Sequence, residues 1–404
     1  MDKRKFGRTG LDISVLTFGC GAVGGLMTRG APADQERAVA RALEHGINHF
    51  DTAADYGKGA SEENLGRVLA NLKPDIVLST KVRVPAERPD IAAAIAASLE
   101  ASLRRLKRDH VDVFQLHNII GAQADGLTMS ADEVLSDVVP ALTRLREQGK
   151  IRFLGFTAIG ETAALHRLIA CGAFHSAQVP FNALNPSAGE ALPADYPAHD
   201  YDRILDRAAE AGVGTIGIRV IAGGALSGRE ARSPLGLASV EPIGSGASYA
   251  ADVARARRFE PMLREGYAES LTEMAMRFVI ANAKLSTTEI GLAGIDELES
   301  AVSAVNKGPL PDAALARLKQ LQLGFAGEAR SAATGLRVAP SGLKETNQHR
   351  EKRRWPRHIG LRPTARFPIR TSWRPTPSLP ALRSRRRAAS FSRAALRPRP
   401  TRPG

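Results

Sequence analysis

Cysteine is nearly absent from this chain. Cys20 and Cys171 are the only two in 404 residues, they lie far apart, and no C-x-x-C pair occurs. That excludes a disulfide framework or a thiolate metal site as the organising device and fits a reducing compartment. Both thiols are expected to be buried and inert. Long apolar runs are missing too: 18 uninterrupted apolar residues occur nowhere, and the N-terminal MDKRKFGRTG has no apolar segment of signal-peptide type. A cytoplasmic protein without a membrane span is expected. Acidic residues almost vanish beyond residue 330, where 19 Lys and Arg face 2 Asp and Glu, while residues 1–330 carry 37 against 40. The formal net charge of +14 therefore belongs to the tail, and the rest of the chain gives no reason to expect a nucleic-acid partner.

That tail, residues 331–404, holds both tryptophans, Trp355 and Trp373, and 10 of the 24 prolines, with no sustained helical or strand period. It cannot build a core and is expected to be disordered. Its Arg, Pro and Ser bias also suits a frameshifted or read-through extension. The runs HREKRRWPRH and RSRRRAAS leave a phosphate-binding arm as a third reading.

Between residues 16 and 305 the chain alternates short β-branched runs with amphipathic stretches. The runs LTFGC, HFDTA, IVLSTKV, VDVFQLHN, IRFLGFTA, SAQVPFN, GTIGIRV and TTEIGLAG predict eight strands. The stretches between them, from DQERAVARALEHG to DELESAVSAV, predict helices that mostly close on Gly, Asn or a basic residue. Eight βα units in about 300 residues are the count and length of a closed (β/α)8 barrel. RKFGRTGLDISVL predicts a hairpin plug turning at Thr9-Gly10, and PDAALARLKQLQLGFAGEAR an extra C-terminal helix. Two connections, residues 183–200 and 221–261, exceed the usual loop length and follow strand ends, where barrel active sites lie.

The stretch FGCGAVGG spells G-x-G-x-x-G at Gly19, Gly21 and Gly24, with Asp51 placed where a ribose-binding acid would stand. A dinucleotide fold needs a helix starting on the third glycine; here Gly30 and Pro32 delay it to about Asp34, so the glycines are read as shaping a rim loop.

Polar residues at successive strand ends converge on one barrel face. Asp51, Lys81 and His117 end the second, third and fourth strands, and Tyr56 follows Asp51 by five residues. A carbonyl reduced by hydride needs a proton at oxygen. A tyrosine could donate it if a lysine lowered its pKa of about 10, with an aspartate orienting the lysine and a histidine bonding the substrate oxygen. Taken singly, Asp51 could be a capping acid, Lys81 a snorkelling lysine, His117 a core histidine and Tyr56 a loop aromatic; the ordered set points to chemistry.

From about residue 3 to 324 the chain resembles the aldo-keto reductases, in GRTGLDISVLTFGCG, INHFDTAADYGKGASEENLGRVL, IVLSTKV, VDVFQLHN, IRFLGFT and SAQVPFN, which occur in that family's order. The resemblance implies NAD(P)H-dependent reduction of an aldehyde, ketone or sugar carbonyl, reversible, with Tyr56 as proton donor and Asp51, Lys81 and His117 completing the tetrad. It implies cofactor contacts from Gly21, Ala22, Thr157, Gln178, Arg219, Ile221, Gly224, Leu226, Gly291, Ala293, Glu297 and Ser300, Gln178 holding the nicotinamide carboxamide. Thr157 and Ala158 replace the family's Ser-Asn, and Ile218 stands where many members place an aromatic. NADP(H), the family default, is held only slightly above NAD(H), since Ala293 and Gly294 lack the cation that meets a 2′-phosphate. Val23, Arg83 and Asn118 are candidate substrate contacts, though Arg83 could equally form a salt bridge to a neighbouring loop. No metal is expected, and a monomer or small homo-oligomer is. A redox-sensing NAD(P)-binding regulatory subunit remains the alternative.

Overall fold

The structure, a computed structural model, describes residues 1–88 and 90–328; the basic tail lies outside the described residues. Eight strands form the centre: β1 (Leu16–Gly19), β2 (His49–Asp51), β3 (Val77–Val82), β4 (Val111–Leu116), β5 (Ile151–Thr157), β6 (Ser176–Pro180), β7 (Gly214–Ile218) and β8 (Thr287–Gly291). Each pairs in parallel with the next, and β8 pairs with β1, so the barrel closes. All eight were legible as β-branched runs. Every residue of β3 and β4 is buried, as a sheet covered by helices outside and by its own side chains inside requires.

Alternation along the strands stacks the interior in layers. Phe6, Ile13, Val77, Val113 and Ile216 form an apolar floor. Two residues further along, the interior turns polar: the His49 ring bonds Thr17 Oγ1 at 2.8 Å and Ser79 Oγ at 2.7 Å, and Thr17 bonds Thr287. Another two residues on stand Asp51, Lys81 and Glu289, with Gln115 of β4 in register beside Lys81, at the end where the strands run out. A period of two thus delivers the chemical residues to the C-terminal rim.

The floor is sealed by the predicted hairpin, Lys3–Lys5 against Asp12–Ser14. Its turn is a 3-10 segment, Gly7–Thr9, closed by Gly10 at φ 80°. Arg4 donates to the carbonyls of Ile280, Asn282 and Leu285, and Arg8 to those of Gly172, Phe174 and Ala211. Several of these are the carbonyls left without helical partners where helices end.

Outside the barrel lie α1 (Pro32–Glu44), α2 (Ala60–Leu72), α3 (Ile91–Leu106), α4 (Val139–Glu147), α5 (Thr162–Ala170), α6 (Ile204–Glu210), α7 (Leu271–Ala281) and α8 (Ile295–Asn306), then α9 (Asp312–Leu323) as the extra C-terminal helix. Asp90 caps α3 and Ser270 caps α7 by accepting from Ala93 and Glu273 N–H. The single helix expected over residues 131–150 is broken: a capping box at Ser130 and Glu133 starts it, and a π turn, Val134–Val138, precedes α4. Pro140 has no N–H to give Ser136, which is reason enough for the ladder to shift there.

Three further differences stand out. Cys171 is exposed at the end of α5, whereas Cys20 is buried as expected. A one-turn helix, Leu26–Arg29, precedes α1, which begins on Pro32 itself. After β4, Ile119–Gly121 pairs with Thr128–Ser130, runs too short to register as strands in the sequence.

Helices α2 and α3 touch at Gly66, where an added Cβ would lie 2.2 Å from Arg105 O and 2.7 Å from Leu106 Cα. Gly66→Ala should therefore lower stability by about 1–3 kcal/mol through overpacking, despite alanine's better helix propensity. A higher denaturation midpoint for that variant would contradict this account of the contact.

Candidate active site

Lys81 sits at the centre. Its ammonium contacts Asp51 Oδ1, donates to Thr52 O at 2.9 Å and to Tyr56 Oη at 3.2 Å, and lies 4.8 Å from the tyrosine ring centroid. The other Asp51 oxygen accepts from Gln115 Nε2 at 2.8 Å. Asp51 and Lys81 are both shut off from solvent, a placement tolerable only because each is paired and hydrogen-bonded.

The D-T-A-x-x-Y-G-x-x-x-S-E stretch also explains itself locally. Ser61 Oγ bonds Thr52 Oγ1 and donates to Cys20 O, while the buried Glu62 carboxylate accepts from Thr80 Oγ1 and Arg105 Nε. Start of α2 and rim of β1–β3 are thereby locked together. Between them Tyr56 opens a tight turn in which Gly57 and Gly59 take positive φ.

Burial pushes the Tyr56 phenol above its ordinary range, and the Lys81 charge works against that without overcoming it. The lowering expected from the lysine is thus present but outweighed by desolvation. Burial likewise disfavours the Lys81 ammonium, and the Asp51 carboxylate more than compensates, holding it charged. At neutral pH the pair is a neutral phenol beside an ammonium, a proton donor with its charge partner in place.

His117 meets the Tyr56 ring edge-on, centroids 5.9 Å apart. Burial lowers its pKa, against the pull of Asp55. Its Nδ1 lies 3.6 Å from Asp55 Oδ1, and Asp55 Oδ2 accepts from Arg83 Nη2 at 3.0 Å and Nε at 3.2 Å. Of the two readings of Arg83, the structure contains the salt bridge. Asn118, expected to face substrate, has its amide committed to the backbone: Oδ1 accepts from Val84 N, and Nδ2 donates to the carbonyls of Val84 and Leu127. It pins the loop after β4.

These groups open into a cavity of about 1680 Å³. Ala22, Val23, Tyr56, Arg83, His117, Asn118, Thr157, Gln178, Arg219, Ile221, Gly224, Gly291, Ala293, Glu297 and Ser300 line it. Gly21 and Leu226 do not. Gly21 backs onto the Tyr56 ring, where an added Cβ would lie 3.8 Å from a ring carbon, and Leu226 is fully buried in the core. Thr157 Oγ1 donates to Gln178 Oε1 at 3.1 Å, and Gln178 Nε2 to Glu289 Oε2 at 2.8 Å. Arg219, at φ 57°, is half-buried at the cavity wall, and desolvation brings its guanidinium down to about 10. Ala293 N donates to Glu297 Oε2 at 2.7 Å.

The long connection after β7 crosses the rim. Arg232 donates to Gly223 O and Leu237 O, Leu237 N to Val23 O, and Arg29 Nε to Leu235 O. Here the glycine-rich stretch finds its reason. A Cβ on Gly24 would strike Leu292, and one on Gly25, at φ 94°, would lie 1.8 Å from Leu235 O. Sequence reasoning missed Asp55, Gln115 and Glu289, of which only Asp55 carried a signal, its place next to Tyr56.

Among the described residues no group of three or more His, Cys, Asp or Glu could hold a metal, and no helix is long and apolar enough to cross a membrane. The aldo/keto reductase family profile matches residues 15–323. L-galactose dehydrogenase of Arabidopsis thaliana is 28% identical over 76% of this chain and 89% of its own. L-glyceraldehyde 3-phosphate reductase of Escherichia coli O157:H7 is 24% identical over 79% and 92%. The holo form of aldo-keto reductase AKR11C1 from Bacillus halodurans superposes with a TM-score of 0.59 at 25% identity, over 82% of this chain and 98% of that one. With an eight-stranded parallel barrel, an acid–lysine–tyrosine cluster at its C-terminal rim and these matches, the chain belongs to the aldo/keto reductase family of nicotinamide-dependent oxidoreductases.

Proposed function

We propose that the protein catalyses reversible hydride transfer between a nicotinamide cofactor and a small aldehyde, ketone or sugar, with Tyr56 delivering the proton to the carbonyl oxygen. The observation that carries this reading is Lys81 bonded at once to Asp51 and to Tyr56 Oη. A bound nicotinamide supplies the hydride; the chain supplies the rest. Lys81 stabilises charge on the phenol as the proton leaves, Asp51 fixes Lys81, and His117 bonds the substrate oxygen. Asp55 orients His117 and holds Arg83 against the substrate space, beside Val23.

The cavity fits the cofactor. It exceeds the about 300–1,000 Å³ of ordinary small-ligand sites, as an extended dinucleotide plus substrate needs. The Thr157 hydroxyl and the Gln178 amide offer partners for the carboxamide. Gly223 and Gly224, at positive φ beside the half-buried Arg219, let backbone approach a pyrophosphate. Ala22 and Ile221 border the same channel, and residues 291–301 take the adenosine.

At that adenosine end the side chains present are Ala293, Asp296, Glu297 and Ser300. The NADP(H) default rests on a cation that these residues do not provide, and two carboxylates would repel a 2′-phosphate while accepting from a ribose hydroxyl. The subsite thus tips the balance to NAD(H). We expect kcat/KM for NAD(H) to exceed that for NADP(H) by about tenfold, roughly 1.4 kcal/mol, and Ala293→Arg to erase or reverse the ratio. An unaltered ratio in that variant would remove residue 293 from cofactor choice.

L-galactose dehydrogenase and L-glyceraldehyde 3-phosphate reductase are both named for hydroxylated aldehydes, and the polar wall of Arg83, Asp55 and His117 suits such a substrate here. A panel of aldoses, glyceraldehyde and simple carbonyls against both cofactors, followed by nicotinamide absorbance in each direction, tests the reading. Cofactor binding without turnover of any substrate class would favour the regulatory alternative.

A further inference from the structure

Glu289 is a carboxyl that the chemistry above leaves unused. It follows Thr287 by two residues on β8, so the strand period turns it into the barrel above the His49 layer. It is partly exposed and lines the cavity together with Tyr56, Thr157 and Gln178. Its Oε2 accepts from Gln178 Nε2 at 2.8 Å, while Gln178 Oε1 accepts from Thr157. One Nε2 hydrogen and one Oε1 lone pair of Gln178 stay open toward the cavity. The carboxyl therefore stands one hydrogen bond from the pair that receives the nicotinamide carboxamide. Gly19 on β1 backs it: an added Cβ there would come within 3.0 Å of Glu289 Cγ.

The charge around it does not balance. Facing Glu289 are Asp51 from β2, Lys81 from β3, Tyr56 from the loop after β2 and Cys20 from the end of β1. Strand β6 contributes the neutral Gln178, and β7 has no titratable residue; Arg219 beyond β7 lines the same cavity. Two carboxyls thus share one ammonium, and Lys81 is bonded to Asp51. Desolvation at the cavity wall, the Asp51 charge and a hydrogen bond with Asp51 push Glu289 up to about 8 against Lys81 and Gln178, which favours the neutral acid at neutral pH.

Resting on the nicotinamide reading above, we propose that Glu289 is the counter-charge of the oxidised cofactor: a carboxylate beside the cationic nicotinamide ring, a neutral acid beside the uncharged dihydronicotinamide. Binding of oxidised cofactor at neutral pH then expels one proton from Glu289 to solvent, and binding of reduced cofactor expels none. The sign follows. Below about pH 8 the proton must leave before the cation is matched, so affinity for the oxidised form rises with pH, by up to tenfold per unit, and levels off once the carboxylate is already free. Affinity for the reduced form stays flat.

Titration calorimetry of the full chain with NAD⁺ and with NADH, or with the phosphorylated pair if it binds tighter, in two buffers of different ionisation enthalpy, tests this without substrate. The expected result is close to one proton released with NAD⁺ near pH 7 and close to none with NADH. Glu289→Gln keeps an acceptor for Gln178; it should bind NADH as the parent does, release no proton, and bind NAD⁺ about tenfold more weakly above pH 8. Equal proton release for the two cofactors in the parent, or an unchanged NAD⁺ profile in the variant, would overturn the proposal. If the variant fails to fold, the parent's proton count alone decides. If the parent binds neither cofactor, the nicotinamide reading of the cavity falls first, and the role of Glu289 with it.

Discussion

Tyr56→Phe lowers kcat for carbonyl reduction about 100- to 10,000-fold while cofactor affinity stays within a few-fold of the parent. The substitution removes one oxygen. That oxygen accepts from Lys81 Nζ at 3.2 Å and lines the cavity, so its loss takes away the proton at the substrate carbonyl and leaves the residues assigned to the cofactor in place. Packing changes little, because the ring keeps its edge contact with His117 and its cation–π contact with Lys81. Steady-state rates beside calorimetric cofactor titrations separate the two effects. A near-parental kcat would make another group the donor and leave the Lys81–Tyr56 bond a structural one.

Lys81→Met has the larger effect on the fold. Asp51 would keep its bond from Gln115 but lose the Lys81 ammonium bonded to it, leaving a carboxylate shut off from solvent without that counter-charge. Breaking a buried pair from one side costs about 3–5 kcal/mol, and activity should fall at least as far as in Tyr56→Phe because the phenol loses its electrostatic partner. Adding Asp51→Asn should restore much of the stability and none of the activity, since neutralising both members removes the stranded charge but not the catalytic loss. Denaturant midpoints of the single and double variants measure the first expectation. A single variant as stable as the parent would mean that Asp51 takes up a proton in place of the lysine.

Much of this was legible because two periodicities carry it. VLSTKV and VDVFQL read as strands by β-branched content, and the same alternation says that Lys81 shares a face with Ser79. Barrel closure and strand order then bring Asp51, Lys81 and His117 to one rim. Gln115 and Glu289 were not legible, for a common reason: neither has a chemical signature in its own segment, whereas Asp55 had only its place beside Tyr56. Glu289 in TTEIG is an ordinary strand residue until β8 closes against β1 and sets it near Asp51. Asn118 shows the same limit from the other side: it lines the cavity beside His117, but only the fold reveals that its amide is bonded to Val84 and Leu127.

The opening glycines mark the same boundary. FGCGAVGG looked like a phosphate-binding turn, and sequence reasoning could say only that the long helix begins too late. That Gly24 and Gly25 are glycines because Leu292 and Leu235 press against them depends on contacts with chain more than 200 residues away.

The sequence by itself determined the local terms: eight strands, their helices, the order of Asp51, Tyr56, Lys81 and His117, and the absence of a cation at residues 293 and 294. Closing the barrel decided the rest. That desolvation outweighs the lysine at Tyr56, that Arg83 is taken by Asp55 and that Glu289 faces the cavity all follow from burial and charge separation. Those quantities exist only once distant segments share the same few ångströms of low-dielectric interior.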